Sequence, residues 1–109
     1  MRQGWVALCN LVSYSFPMIK SFVHKGLEQF FTTGSVAGIQ PMHAKRLRLI
    51  LAQLDKARTI QDMDIPSLHL HVLKGKRKGI WAVTVQASWR VTFRFVEGDA
   101  EVVNYEDYH

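Results

Sequence analysis

Trp89-Arg-Val-Thr-Phe-Arg-Phe-Val96, then Glu97-Gly98-Asp99, then Ala100 through Asn104-Tyr-Glu-Asp-Tyr-His109, is the stretch that decides the fold. Successive residues of a strand point to opposite faces, so Trp89, Val91, Phe93 and Phe95 share one side and Arg90, Thr92 and Arg94 the other. Glu97-Gly98-Asp99 has the residues of a tight hairpin turn, and Ala100 to Tyr108 reads as the returning strand, which also alternates apolar and polar positions. That strand runs into Asp107-Tyr108-His109, and its end is the first candidate for chemistry.

Working back from the hairpin, Gln86-Ala-Ser88 turns the chain, and Ile80-Trp-Ala-Val-Thr-Val85 is almost wholly apolar, as a strand in the middle of a sheet would be. Gly75-Lys-Arg-Lys-Gly79 is a basic loop with glycine at both ends, and Leu68-His-Leu-His-Val-Leu73 alternates as a further strand. Upstream the period changes. Leu47, Ile50, Leu51 and Leu54 make the buried stripe of a helix whose other side carries Lys45, Arg46, Arg48 and Lys56. Pro41 falls where the first residue of that helix would be. Leu27, Phe30 and Phe31 form the stripe of a shorter helix closed by Gly34, and Met18-Ile-Lys-Ser-Phe-Val23 alternates as a strand. The expected class is α+β, with two N-terminal helices packed on one face of a small, mainly antiparallel sheet. Packing the Trp89 strand's aromatic face on Leu47, Ile50 and Leu51 would make the core.

The 109 residues, 48% of them hydrophobic, suit one domain. Residues 1–17 are expected to be an extension outside it, with Met18 the natural start of an 18–109 domain. They carry one charge, Arg2, and no clear cleavage signal follows the run Val6-Ala-Leu-Cys-Asn-Leu-Val12. A short apolar arm is the alternative. No run is long enough to cross a bilayer. The single cysteine, Cys9, excludes an internal disulfide and fits a reducing, cytoplasmic setting. No Cys/His spacing suggests a metal site. The formal charge is +5, yet five of the nine acids (Glu97, Asp99, Glu101, Glu106, Asp107) lie in the last thirteen residues. What precedes them is therefore strongly basic, which suits an anionic partner such as nucleic acid.

The sheet can gather Lys74, Arg90, Asp107, Tyr108 and His109 into one cleft. Metal-free RNA cleavage needs a base for the ribose 2′-hydroxyl, an acid for the leaving 5′-oxygen, and fixed positive charge on the phosphate. Histidine titrates in the useful range and can move the protons. Each residue also has an ordinary explanation. A terminal histidine is usually idle, an arginine alternating with core residues usually only solvates a sheet face, and a basic helix face is usually just exposed. His69 and His71 flank Leu70 as surface or core filling, with His71 closer to Lys74. Spacing alone forms no tight local motif.

The combination is more specific. His71-x-Leu73-Lys74-Gly75, Gly79-x-Trp81-x-Val83-x-Val85, Trp89-Arg-Val-Thr-Phe-x-Phe95, Gly98-Asp-Ala100 and Asn104-Tyr-Glu-Asp-Tyr-His109 together resemble the HigB toxins of the RelE/ParE superfamily. Met18-Ile-Lys-Ser-Phe-x-His24-Lys-Gly-Leu27 resembles how such toxins begin. The resemblance implies a RelE-like fold and a ribosome-dependent mRNA endoribonuclease without cofactor or metal. Its site would comprise Lys74, Arg90, Asp107, Tyr108 and His109, with His71 contributing. Lys45, Arg46, Arg48, Lys76, Arg77, Lys78 and Arg94 would grip ribosomal RNA. It also implies a HigA-type helix-turn-helix antitoxin, with operator DNA met only through that complex. Val72 departs from the proline usual in relatives, which relaxes the backbone before Lys74, and Ala82 from a common serine. A ParE-like gyrase inhibitor and an inactive corepressor partner of the antitoxin are the alternatives.

Overall fold

The turn at Glu97-Gly98 sets the sheet. Both residues have positive φ (49° and 86°), as a two-residue hairpin loop of the favoured hand requires. It joins β3 (Trp89–Val96) to β4 (Asp99–Asp107), with Val96 opposite Asp99. The computed structural model describes residues 19–107. Met18 and the extension before it, together with Tyr108 and His109, lie outside those described residues.

β2 (Trp81–Gln86) pairs with β3 through a second hairpin in which Ala87 has φ 53°. A two-residue β1 (His71–Val72) completes an antiparallel sheet in the order β1-β2-β3-β4. The α+β class is therefore as expected. The main helix is α2 (Ala44–Lys56), preceded by α1 (Lys25–Thr33).

α2 forms where its stripe predicts. Leu47, Ile50, Leu51 and Leu54 are all essentially inaccessible and cluster with Val83, Val85, Val91, Phe93 and Val103 of the sheet. Removing these side chains from water stabilises the fold by about 1.5–3 kcal/mol each. Pro41 opens a 3-10 turn (Pro41–His43) rather than the α-helix itself, which begins at Ala44. α1 ends at Gly34, whose left-handed backbone lets its N–H reach the Phe30 carbonyl at 2.9 Å. At its other end His24 Nδ1 accepts from the Leu27 N–H at 3.0 Å. Leu27 and Phe30 join the core, but Phe31 stays exposed, its ring tilted against that of Phe22 with 5.6 Å between centroids.

Three sequence expectations need correction. Residues 68–73 do not form a long strand. Pro66–Leu68 is a 3-10 turn, and His69 adopts left-handed φ (52°), so pairing begins only at His71. Residues 19–23 do not form a regular strand either, but an edge segment making isolated parallel bridges, Ile19 with Ala100 and Phe22 with Val103.

The third correction explains the second. β4 does not alternate from end to end, because Val102 is an extra residue in left-handed conformation (φ 48°), between the pairs Arg94–Glu101 and Thr92–Asn104. This bulge turns Ala100 and Val103, three residues apart, into the same core. A β-branched residue at positive φ is strained, and Ser21 holds it there. Its side-chain oxygen accepts from Val102 N–H at 2.8 Å and its carbonyl from Val103 N–H at 3.0 Å. A continuous strand could not follow such an edge.

Candidate active site

One face of the sheet packs on the helices, and the other is where the sequence placed its chemistry. Register aligns His71, Ala82, Thr92 and Asn104 across the four strands, and Thr84, Arg90 and Glu106 one step along. His71 and Arg90 therefore share the open face, and the loop that begins at Lys74 reaches it through Arg77, which donates to Glu106. His71 is exposed, with Nδ1 2.9 Å from the His69 carbonyl oxygen. Lys74 is exposed and caps the 3-10 turn Gly75–Arg77. Arg90 is half-buried, and its Nη1 donates to the carbonyls of Ala87 at 2.7 Å and Trp89 at 3.1 Å, which aims the guanidinium along the β2–β3 turn.

Asp107 is placed differently. It lies opposite Trp89 in the ladder, on the helix-side face shared with Tyr105, and accepts from the Ser88 hydroxyl. Tyr108 and His109, the two residues asked to do most, are outside the described residues. Among the basic residues, Lys45, Arg48, Lys76, Lys78 and Arg94 are exposed. Arg46 is half-buried. Its guanidinium donates to the carbonyls of Val85 (3.2 Å) and Ser67, tying α2 to the end of β2. Lys45 and Arg48 are on α2, which packs on the core face, whereas Arg90 is on the open face.

Sequence reasoning missed Glu106. It sits on the open face near the end of β4, the last strand of the sheet, taking Arg77 Nη1 at 2.8 Å, a second Arg77 contact, Thr92 Oγ1 at 3.0 Å and Asn104 Nδ2 at 3.3 Å. The Arg77 guanidinium holds its carboxyl below the usual range, against a smaller opposing effect of burial and with help from Thr92 and Asn104.

Sequence reasoning also missed the support behind the terminal strand. His43 is 3% exposed, and its Nδ1 lies 2.6 Å from the Tyr105 hydroxyl. Gln40 N–H donates to the same phenol oxygen at 3.4 Å. Trp89 stacks obliquely on Tyr105 at 4.6 Å between ring centroids, and His24 meets it edge-on. Burial pushes the Tyr105 phenol up and the His43 imidazole down, the latter partly offset by Asp107. The unfolded chain therefore binds more protons than the folded one between the lowered His43 value and its ordinary value of about 6.5. Stability from this group is complete above that ordinary value and is lost as pH falls through the window. The urea midpoint of the wild type should fall between pH 7.5 and pH 5.5, and His43→Gln should shrink the fall.

The described residues form a small α+β protein with Arg77, Arg90 and Arg94 on the open face of an antiparallel sheet. Comparison with known proteins makes this specific. Residues 20–109 match the family described as RelE-like toxin of type II toxin-antitoxin system HigB. A curated protein of Proteus vulgaris named Endoribonuclease HigB is 46% identical over 92 residues, covering 84% of this chain and 100% of that protein. The chain belongs to the HigB family of RelE-like toxins.

Proposed function

We propose that this toxin is an endoribonuclease that cuts mRNA on the translating ribosome without a metal ion. Arg90 and Lys74 clamp the scissile phosphate, and His109 serves as general acid or base. Tyr108 orients or stacks on a base, His71 assists, and Asp107 steadies the end of β4. The 2′-oxygen attacks phosphorus in line while a base takes its proton. The bond to the 5′-oxygen breaks as an acid protonates it. The products are a 2′,3′-cyclic phosphate and a 5′-hydroxyl. What supports this reading above all is that His71, Arg90 and the Lys74 loop share one open face in a chain whose relative is named an endoribonuclease.

The same reading assigns the domain to residues 18–109 and leaves residues 1–17 outside it, and it treats α1 and α2 as the two helices that back a RelE-like sheet. A type II toxin implies an antitoxin. A HigA-type helix-turn-helix protein fills that place, and operator DNA is met only through it. The working compartment is the cytoplasm, where ribosomes are. Exposed Lys76, Lys78 and Arg94 contact RNA phosphates beside the cleft, so association should weaken with salt. Lys45 and Arg48 could reach only a separate part of the ribosome.

The test is to induce the toxin and map mRNA 5′ ends with translation running and with initiation blocked. Codon-periodic ends that vanish when initiation is blocked support the reading. Growth arrest with intact mRNA would indicate a gyrase inhibitor instead, and no arrest an inactive corepressor.

A further inference from the structure

The residues given roles in cleavage leave the β4 side of the open face unexplained. A carboxylate there should repel the phosphates that Lys74 and Arg90 attract, yet Glu106 occupies the spot with its side chain only 21% exposed. Its main partner comes from far away in the sheet. Arg77 belongs to the β1–β2 loop, whereas Glu106 is on β4, two strands beyond β2 and so about 10 Å across the sheet. The loop must fold back over the open face for the two to meet. Its ends permit this, since Gly75 (φ 72°) and Gly79 (φ 90°) take backbone conformations open chiefly to glycine. Lys78 N–H to the Gly75 carbonyl and Ile80 N–H to the Arg77 carbonyl, both 3.1 Å, close the reversal. Thr92 records the result: it lies on the open face but is 1% exposed.

We propose that Glu106 is a positioning residue that anchors the basic loop across the sheet through Arg77, and thereby fixes where Lys74 stands relative to Arg90. The inference rests on the ribonuclease reading for its catalytic consequence, though not for the anchoring itself. Two bonds to a planar guanidinium define direction as well as distance, and Thr92 and Asn104 hold the carboxylate that receives them. The ion pair also offsets the negative charge that Glu106 brings to the open face beside Arg90, its neighbour across the ladder. Glu106 touches neither substrate nor reacting atoms and moves no proton.

Glu106→Gln separates this role from a merely structural one. The amide oxygen can still accept from Thr92 and Asn104, but the charge that holds Arg77 is gone. Single-turnover cleavage at saturating mRNA-programmed ribosomes should slow by about ten- to a hundredfold, the scale of a small misplacement of a catalytic group. The ribosome concentration for half-saturation should stay level or fall, because an anion has been removed. Amide hydrogens of Lys78 and Ile80 should exchange faster. Arg77→Ala should reproduce the rate loss, and Arg77→Ala/Glu106→Gln should lose no more than either alone. An unchanged rate in Glu106→Gln, an additive double variant, or a loss appearing only as weaker binding overturns the proposal. Should the wild type cut no RNA, the nuclease reading fails by itself. Exchange then decides the anchor: unchanged protection of Lys78 and Ile80 in Glu106→Gln overturns it.

Discussion

His109→Gln should slow mRNA cleavage by about 10²- to 10⁴-fold, the usual scale for losing a general acid or base, while leaving the thermal midpoint close to wild type. Glutamine matches much of the imidazole's hydrogen-bonding geometry but cannot exchange a proton near neutral pH, so the change isolates proton transfer from shape. The core offers no reason for wider damage. Among the described residues, Leu47, Ile50, Leu51, Val83, Val91, Phe93 and Val103 of the sheet and α2 already form a continuous buried core. Cleavage and binding should therefore part company. Ribosome association, carried by phosphate contacts, should survive in the variant, and only the chemical step should be lost. A variant that cuts at more than about a tenth of the wild-type rate would remove His109 from proton transfer at the scale set above.

Gly26→Ala should have the largest effect on the fold. In the first turn of α1, helix propensity alone would favour alanine by about 1 kcal/mol. The space does not allow it. A Cβ on Gly26 would lie 2.4 Å from the Gly38 carbonyl oxygen, and one on Gly38 would lie 2.5 Å from Gly26 Cα. Both obstacles are backbone, so no side-chain rotation relieves them, and α1 must move from the loop that leads to Pro41. A loss of about 2–3 kcal/mol is expected, as for overpacking a filled site. In a domain of this size that lowers the thermal midpoint by roughly 10–20 °C. Gly34→Ala is the contrasting case. Nothing lies within 4 Å of its added Cβ, so only the left-handed backbone (φ 82°) resists, and the loss should be about 1 kcal/mol. Urea denaturation of the two variants side by side checks the order.

How much of this was legible depends on what kind of information each feature needs. The α2 stripe was readable because Leu47, Ile50, Leu51 and Leu54 report a local period. The Glu97-Gly98 turn was readable because its backbone requirement selects residue types. β4 was misread beyond the turn because a bulge costs only one residue of sequence. Val102 and Val103 look interchangeable until Ser21, far away in the chain, settles which one leaves the ladder. His69 was likewise unreadable, since its left-handed backbone ends a pattern that alternation would continue.

The site divides in the same way. Lys74 and Arg90 were found by residue type and resemblance, and register sets His71 and Arg90 on the open face. Glu106 was seen only as one of several acids near the end of the chain. Its significance lies in meeting Arg77 across the sheet, which no local spacing encodes. The structural ties of Arg46 were hidden for the opposite reason. Helical position puts it on the basic side, but its length lets it turn inward to the Val85 carbonyl. His43 carried no signal at all, because its partner Tyr105 lies on the last strand.

The central claim is that the RNA cuts itself with its own 2′-hydroxyl, held on the open face of the sheet. The most direct measurement replaces the single ribose 5′ to the cut with 2′-deoxyribose in an mRNA programmed onto ribosomes. The ends formed on the all-ribose message are analysed beside it. The account predicts a 2′,3′-cyclic phosphate and a 5′-hydroxyl from the ribose message, and no cleavage at the deoxy position. Cleavage at the deoxy position, or fragments bearing a 5′-phosphate and a 3′-hydroxyl, would contradict it.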